Sequence, residues 1–433
     1  MGRTASSHES RAEHVIVVSI DGLKPEIYLE DGWPAPALRS LMWRGAHAEA
    51  VTGIFPSLTY PSHTTMATGA LPARHGVWSN QTIEPSDDAG WLKDASLIRV
   101  PALWDAVRAA GGTTAALNWP LTVGAAIDWN VPDVWPGSDA EVVRAMAEAS
   151  QPRGLLPELE REATGRLHID NFSSRLLAHD VRLAAMATYL FDRYRPNLML
   201  VHVEGVVQIL QEPDWRNPRR LQAIACADVV VALLAELLDR TGAWDHTTLI
   251  ATGDHGMTEV HTQVRPNAWL AEAGLRPIRL DGGDDWRAMF HALGGCALLR
   301  VQEPVAENVG EVRRVLERLD APLRETFRIV EREELDALGS DPEAPFVLAA
   351  APGFVLDQRA DPPDTRPNPG MSHGHHPELR DMDTGLVAAG AGIRPGAAAP
   401  RMRLTDLAPL AATLLGVELE APDGAAWPGL LEE

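Results

Sequence analysis

The chain predicts an α/β fold, a mostly parallel central sheet with helices on both faces that carries a smaller α+β inserted subdomain. Three observations predict it. Short, continuous, β-branched runs recur along the chain, as in VIVVSI at 15–20 and NLMLVHVE at 197–204. Amphipathic or Ala/Leu-rich helical stretches separate them, as at 175–193 and 219–240. Two of the runs end in an Asp-bearing turn, at Asp21-Gly22 and at Asp254-His255-Gly256. A strand buried on both faces has no solvent side and so reads as an unbroken apolar run. The alternation of such runs with helices is the mark of a parallel sheet.

VIVVSI predicts a central strand. Residues 101–110, PALWDAVRAA, predict a helix with proline at its first turn, and TTAALNW at 113–119 the next strand. The long helix at 175–193 leads into the strand at 197–204, and the helix at 219–240 into TTLIATGDHG at 247–256. The rhythm changes near residue 270. Residues 282–356 hold a strand CALLRV, a helical VGEVRRVLERLD, strands TFRIVE and FVLAAA, and a short helical REELDALG between them. They form the inserted subdomain, with 1–281 and 357–433 as the core. A Pro- and Asp-rich stretch at 357–370 reads as a loop. The core resumes with TGLVAAGAGI at 384–393 and a last helix around 405–416.

Of 433 residues, 45% are hydrophobic and 23% charged, enough for a sizeable core, and the net charge is −22. Such a surface repels a phosphate backbone, so a nucleic acid polymer is excluded as a partner. A small anionic substrate is compatible with it, because a bound cation reverses the local field. Two cysteines, Cys226 and Cys296, allow neither a disulfide framework nor a Cys-rich metal site. The sequence suggests no membrane span and no secretory leader, so a cytoplasmic location is expected. Gly2 to Ser6 fits the loose myristoylation pattern, which is too common to carry weight.

Four clusters carry groups capable of chemistry: Asp21-Gly22, the segment FPSLTYPSHTTMATG with Thr59, Asp254-His255-Gly256, and the turn His373-Gly374-His375-His376. Singly each is weak, since an Asp after a strand commonly caps a helix and a Thr in a polar loop is commonly only a cap. Jointly they make a site. Ligands collect beyond the carboxyl ends of strands in open α/β sheets. Two Asp and one His there suit Zn²⁺ or a similar divalent ion. A hydroxyl beside such an ion becomes a nucleophile.

On these residues the chain resembles the nucleotide pyrophosphatase/phosphodiesterase family of the alkaline phosphatase superfamily. FPSLTYPSHTTMATGALPARHGVWSN at 55–80 is its most specific segment. The resemblance implies Thr59 as nucleophile and Asn80 as the amide that bonds a non-bridging substrate oxygen. It implies one metal, Zn²⁺, on Asp21, Thr59, Asp254 and His255, and a second metal with His373 among its ligands. The implied substrate is a small phosphate ester.

The second site departs from the family. In the best register Val207 and Gln211 stand where an Asp and a His belong, and a shift of one residue gives Val206 and Leu210. Valine has no ligating atom and Gln is a poor Zn²⁺ ligand. Three readings follow: a two-metal enzyme rebuilt with groups such as His202, Glu204, Glu212, His375 or His376; a one-metal, sulfatase-like or phosphonate hydrolase; and a non-catalytic relative that binds a phosphate-bearing ligand. The insertion and the 357–370 loop are expected to shape the mouth of the pocket, and Trp78, Trp119 and Trp129 are candidates to line it.

Overall fold

The computed structural model describes residues 10–82, 90–138, 141–173, 175–214, 216–279 and 285–432. The expected boundary at 281/282 and the Gly2–Ser6 pattern lie outside them. In chain order the strands are β1 (His14–Ile20), β2 (Ala46–Thr52), β3 (Thr114–Leu117), β4 (Trp129–Val131), β5 (Leu198–Val203), β6 (Thr247–Thr252), β7 (Thr258–Val264), β8 (Ala288–Ala292), β9 (Cys296–Val301), β10 (Phe327–Glu331), β11 (Phe346–Ala350), β12 (Gly353–Leu356), β13 (Thr365–Ser372), β14 (Thr384–Gly390), β15 (Ala397–Ala399) and β16 (Met402–Arg403).

The main sheet has nine strands in the order β15-β2-β14-β6-β1-β5-β3-β4, with β16 also on β2. All its pairs are parallel except β14 with β2 and with β6. Side-chain alternation explains how one run serves two cores. Ile16, Val18 and Ile20 point to the face covered by helices Pro36–Arg44, Leu177–Tyr194 and Arg219–Thr241. Val15 and Val17 point to the face covered by Leu103–Ala109 and Leu407–Leu415. Helix Arg219–Thr241 corrects one expectation: it is long and apolar enough to cross a membrane by length and composition. Here its apolar side packs on helix Leu177–Tyr194 and the sheet.

A four-stranded antiparallel sheet, β10-β11-β9-β8, has its own core, in which Phe290, Leu299 and Phe346 meet Val312 and Leu316 of helix Val305–Glu317. A three-stranded sheet, β12-β7-β13, completes the fold. It corrects the reading of 357–370 as a loop, because β13 begins at Thr365 and pairs antiparallel with β7. Prolines mask the strand in the sequence. They are tolerated because β13 is an edge strand, irregular between Pro367 and Gly370.

Gly45 joins helix Pro36–Arg44 to β2. A Cβ there would run into the backbone of Ala388 and Ala389 in β14. Gly45→Ala is therefore expected to destabilise the protein by about 1–3 kcal/mol, read as a lower denaturation midpoint at unchanged m-value.

Candidate active site

Parallel pairing brings the carboxyl ends of four strands into line. Ser19 in β1 pairs with both His202 in β5 and Thr252 in β6. The residues just beyond are therefore neighbours: Asp21 after β1, Glu204 after β5, Asp254 after β6 and Asn118 after β3. Asp21 N–H still donates to the Val203 carbonyl at 2.8 Å. Gly22 then turns the chain with φ +75°, a conformation costly for a side-chain-bearing residue.

Four ligating groups converge here. His255 Nε2 lies 3.4 Å from Asp21 Oδ1, 3.4 Å from Asp254 Oδ2 and 3.5 Å from Thr59 Oγ1. His255 Nδ1 sits 3.0 Å from the Gly256 carbonyl. The proton therefore belongs on Nδ1, and Nε2 aims its lone pair at the two carboxylates. Asp254 Oδ1 accepts from Gly22 N–H and His255 N–H. Asp21 Oδ1 and Asp254 Oδ2 are buried without a hydrogen-bond partner. Buried lone pairs facing one another are repulsive unless a cation lies between them. The donor set, two carboxylates, an imidazole and a hydroxyl, fits a tetrahedral divalent ion.

Thr59 opens the buried helix Thr59–Thr68, so its hydroxyl sits at the positive end of that helix. Asn80 is fixed beside it, its Oδ1 accepting from Tyr60 N–H at 2.9 Å. That leaves the Asn80 amide N–H groups as donors. His63, on the same helix, gives Nδ1 to the Thr59 carbonyl at 2.7 Å. With His202 and Asp254 it forms a further buried group that could hold a metal ion, but His63 does not line the cavity in front of Thr59.

His373 is close but turned aside. Its ring stacks on His255 with centroids 4.0 Å apart, and its Nδ1 lies 3.2 Å from the Ser57 carbonyl. Among the described residues it joins no group of three metal-ligating side chains. Val206, Val207 and Leu210 are buried and apolar, while Gln211 lines the cavity. Of the suggested replacements, Glu212 pairs with Arg219 on the surface, His375 Nε2 meets the Phe354 carbonyl, and His376 meets Glu334. Only His202 and Glu204 face the cavity, and they meet there a residue that the sequence did not single out, Asp133. Its segment, NVPDVWPG, has no local signal for a ligand.

The cavity holds about 380 Å³ and is lined by Thr59, Asp21, Tyr60, Trp91, Trp135 and Arg175, among others. This corrects the expected aromatic wall. Trp119 is buried against His63, Trp129 stacks on Tyr194, and Trp78 lines a separate cavity. Tyr60 and Trp91 instead lie 5.5 Å apart by ring centroids, and Trp91 and Trp135 6.2 Å. Nor does the 282–356 segment line this cavity, whose walls come from strand ends and loops of the core and from the helices Thr59–Thr68 and Gly205–Leu210.

Burial, followed by the charge of Asp254, pushes Asp21 up to about 8. Burial also raises Asp254 and lowers His255 and His373 to about 3. For His202 burial acts downward, but the nearby carboxylates of Asp21, Glu204 and Asp254 prevail and push it up to about 9. Burial and Glu204 push Asp133 up to about 7.

Residues 15–377 match the profile of type I phosphodiesterase/nucleotide pyrophosphatase. Human ectonucleotide pyrophosphatase/phosphodiesterase family member 5 is 23% identical over 437 residues, covering 98% of this chain and 79% of that protein. Ectonucleotide pyrophosphatase/phosphodiesterase 1 of Saccharomyces cerevisiae is 26% identical over 266 residues, 57% of this chain but 34% of that protein. The structure of the human protein superposes with a TM-score of 0.69 at 20% identity, covering 97% of this chain and all of that one. That of an inactive murine ectonucleotide pyrophosphatase/phosphodiesterase 5 in complex with AMP superposes with a TM-score of 0.66 at 20% identity, covering 94% and 96%.

In the metal-free protein Asp21 binds its proton more tightly folded than unfolded, as do His202 and Asp133. Their stabilising contributions are present below the unfolded pKa values and lost as pH rises through about 7 to 9. With chelator present, the melting temperature is expected to fall from about pH 7 to about pH 9, above the range in which the buried neutral His255 and His373 act in the opposite sense. Asp21→Asn is expected to flatten that fall, checked by thermal melts of the two proteins side by side.

Proposed function

This chain belongs to the type I phosphodiesterase/nucleotide pyrophosphatase family, and from that premise we propose a metal-dependent hydrolase of phosphodiester bonds, nucleotide-type or aryl, that works through a covalent phospho-threonine intermediate on Thr59. The observation that carries the proposal is the convergence of Thr59 Oγ1 and the unpartnered Asp21 and Asp254 oxygens on His255 Nε2. A divalent cation such as Zn²⁺ held by these four residues supplies a field that lowers the pKa of the hydroxyl and neutralises charge on the phosphoryl group.

Thr59 Oγ attacks phosphorus in line. The new O–P bond forms as the bond to the leaving oxygen breaks, the hydroxyl proton passes to water, and the departing oxygen takes one up. Asn80, its Oδ1 already engaged by Tyr60 N–H, has only N–H groups to offer and directs them at a non-bridging oxygen. The positive end of helix Thr59–Thr68 favours the anionic group in the same place. Water then opens the phospho-threonine from the opposite side, and the two inversions together retain configuration at phosphorus. Tyr60, Trp91 and Trp135 offer π-faces to a base or aryl group. The AMP bound by the murine relative supports a nucleotide-type ester.

A second reading, one metal only, is favoured by Val207 and Gln211, which remove ligands from the family's second site.

Thr59→Ala is expected to abolish turnover of a model phosphodiester at unchanged melting temperature; retained turnover would overturn the role of Thr59. Asn80→Ala is expected to lower kcat by about 10²–10³-fold, measured at saturating substrate. Elemental analysis after dialysis against metal-free buffer is expected to find a tightly bound ion that is lost in Asp254→Ala. No ion, even after Zn²⁺ is restored, would remove the chemical basis of the mechanism and leave a binding protein.

A further inference from the structure

The helix that follows β5, Gly205–Leu210, presents no ligating side chain where the family's second metal belongs, yet the end of β5 itself does. His202 and Glu204 are two residues apart and both line the cavity of Thr59. Asp133 reaches the same wall from the loop after β4. One ligand atom of each of the three lies within 4.8 Å of the other two. All three are buried, with exposures of 4% for Asp133, 1% for His202 and 6% for Glu204.

Their hydrogen bonds orient the groups without neutralising them. Tyr60 O–H donates to Asp133 Oδ2 at 2.7 Å, and Asn118 Nδ2 donates to Glu204 Oε1 at 3.0 Å. His202 Nδ1 lies 3.2 Å from the Asn118 carbonyl. Asn118 adopts a left-handed φ of 56°, which Asn tolerates better than most residues. Among the described residues no Lys or Arg pairs with either carboxylate. His202 Nε2 is buried without a hydrogen-bond partner, 3.7 Å from Asp21 Oδ2, and so is aimed at the gap between this group and the nucleophile-side cluster. Two buried carboxylates held by neutral donors need positive charge beside them, which a proton on His202 supplies in the metal-free protein and a divalent cation would supply in its place.

We propose that Asp133, His202 and Glu204 hold a second divalent cation, Mn²⁺ or Zn²⁺, replacing the site lost at Val207 and Gln211. A donor set of two carboxylates and one imidazole suits these ions. The proposal rests on the nucleophile-side cluster being the first metal site. Asp21 stands between the two groups, and a cation at the second faces the same cavity as Thr59.

The test loads the metal-free full chain with MnCl₂, counts tightly bound ions by elemental analysis and electron paramagnetic resonance, and follows the melting temperature. The parent is expected to hold two ions, and Glu204→Gln, Asp133→Asn and Asp254→Asn one each. Either of the near-isosteric pocket variants suffices if the other fails to fold. Both are expected to melt higher than the parent without metal, having lost one of two like charges, and to gain less from added Mn²⁺. A parent with one ion, lost in Asp254→Asn and kept in Glu204→Gln and Asp133→Asn, would overturn this proposal and leave the first site standing. One ion lost in the pocket variants and kept in Asp254→Asn would support it and overturn the nucleophile-side assignment instead. No ion in the parent would overturn both.

Discussion

Two carboxylates that cannot both stay charged in isolation organise this molecule. Asp21 and Asp254 end adjacent arms of the sheet, both are buried, and each leaves an oxygen with no hydrogen bond. Desolvating two like charges side by side is among the most expensive arrangements a fold can contain. The lone pair of His255 points at the same place and deepens the need. The sheet makes the juxtaposition unavoidable, because the parallel register of β1 with β6 fixes where each strand stops. A cation would relieve it, and the Thr59 hydroxyl lies within reach of the same place.

The rest of the site is scaffolding for Thr59. The helix it opens is buried along its whole length, so the hydroxyl cannot swing away with a mobile loop. Asn80 is held through the backbone of the next residue, and His63 through the carbonyl of Thr59 itself. These contacts use backbone groups of the helix's first turn as fixed points. Thr59, Asn80 and His63 are therefore positioned relative to one another through main chain, which is more rigid than contact between side chains alone.

The wall opposite Thr59 combines apolar and ionisable groups. Apolar Val206, Val207 and Leu210 join the core, and His373 is parked on the face of His255. Acidic and imidazole groups have instead gathered at the end of β5 and in the loop after β4. Tyr60, the residue after Thr59, ties the halves together: its N–H fixes Asn80 and its hydroxyl fixes Asp133.

The strands, long helices and nucleophile loop were legible in the sequence, because strand periodicity, helix length and Gly-bearing turns are local properties. Asp21, Thr59, Asp254 and His255 were legible for the same reason, each lying in a short segment whose pattern is set by its neighbours in the chain, and Asn80 only through the family resemblance of residues 55–80. β13 was not, because its prolines read as a loop and only its position at a sheet edge makes them tolerable. Nor were the aromatic wall and the place of Asp133 beside His202 and Glu204. Trp91 and Trp135 are 44 residues apart in number, and Asp133 and Glu204 are 71, so no spacing rule connects them. The sequence by itself determined the fold class and marked Thr59, Asp21, Asp254 and His255 as candidates for one site. Only the tertiary structure decided what faces Thr59, because a cavity wall is assembled by sheet register and loop packing, which bring together residues that carry no mark of each other.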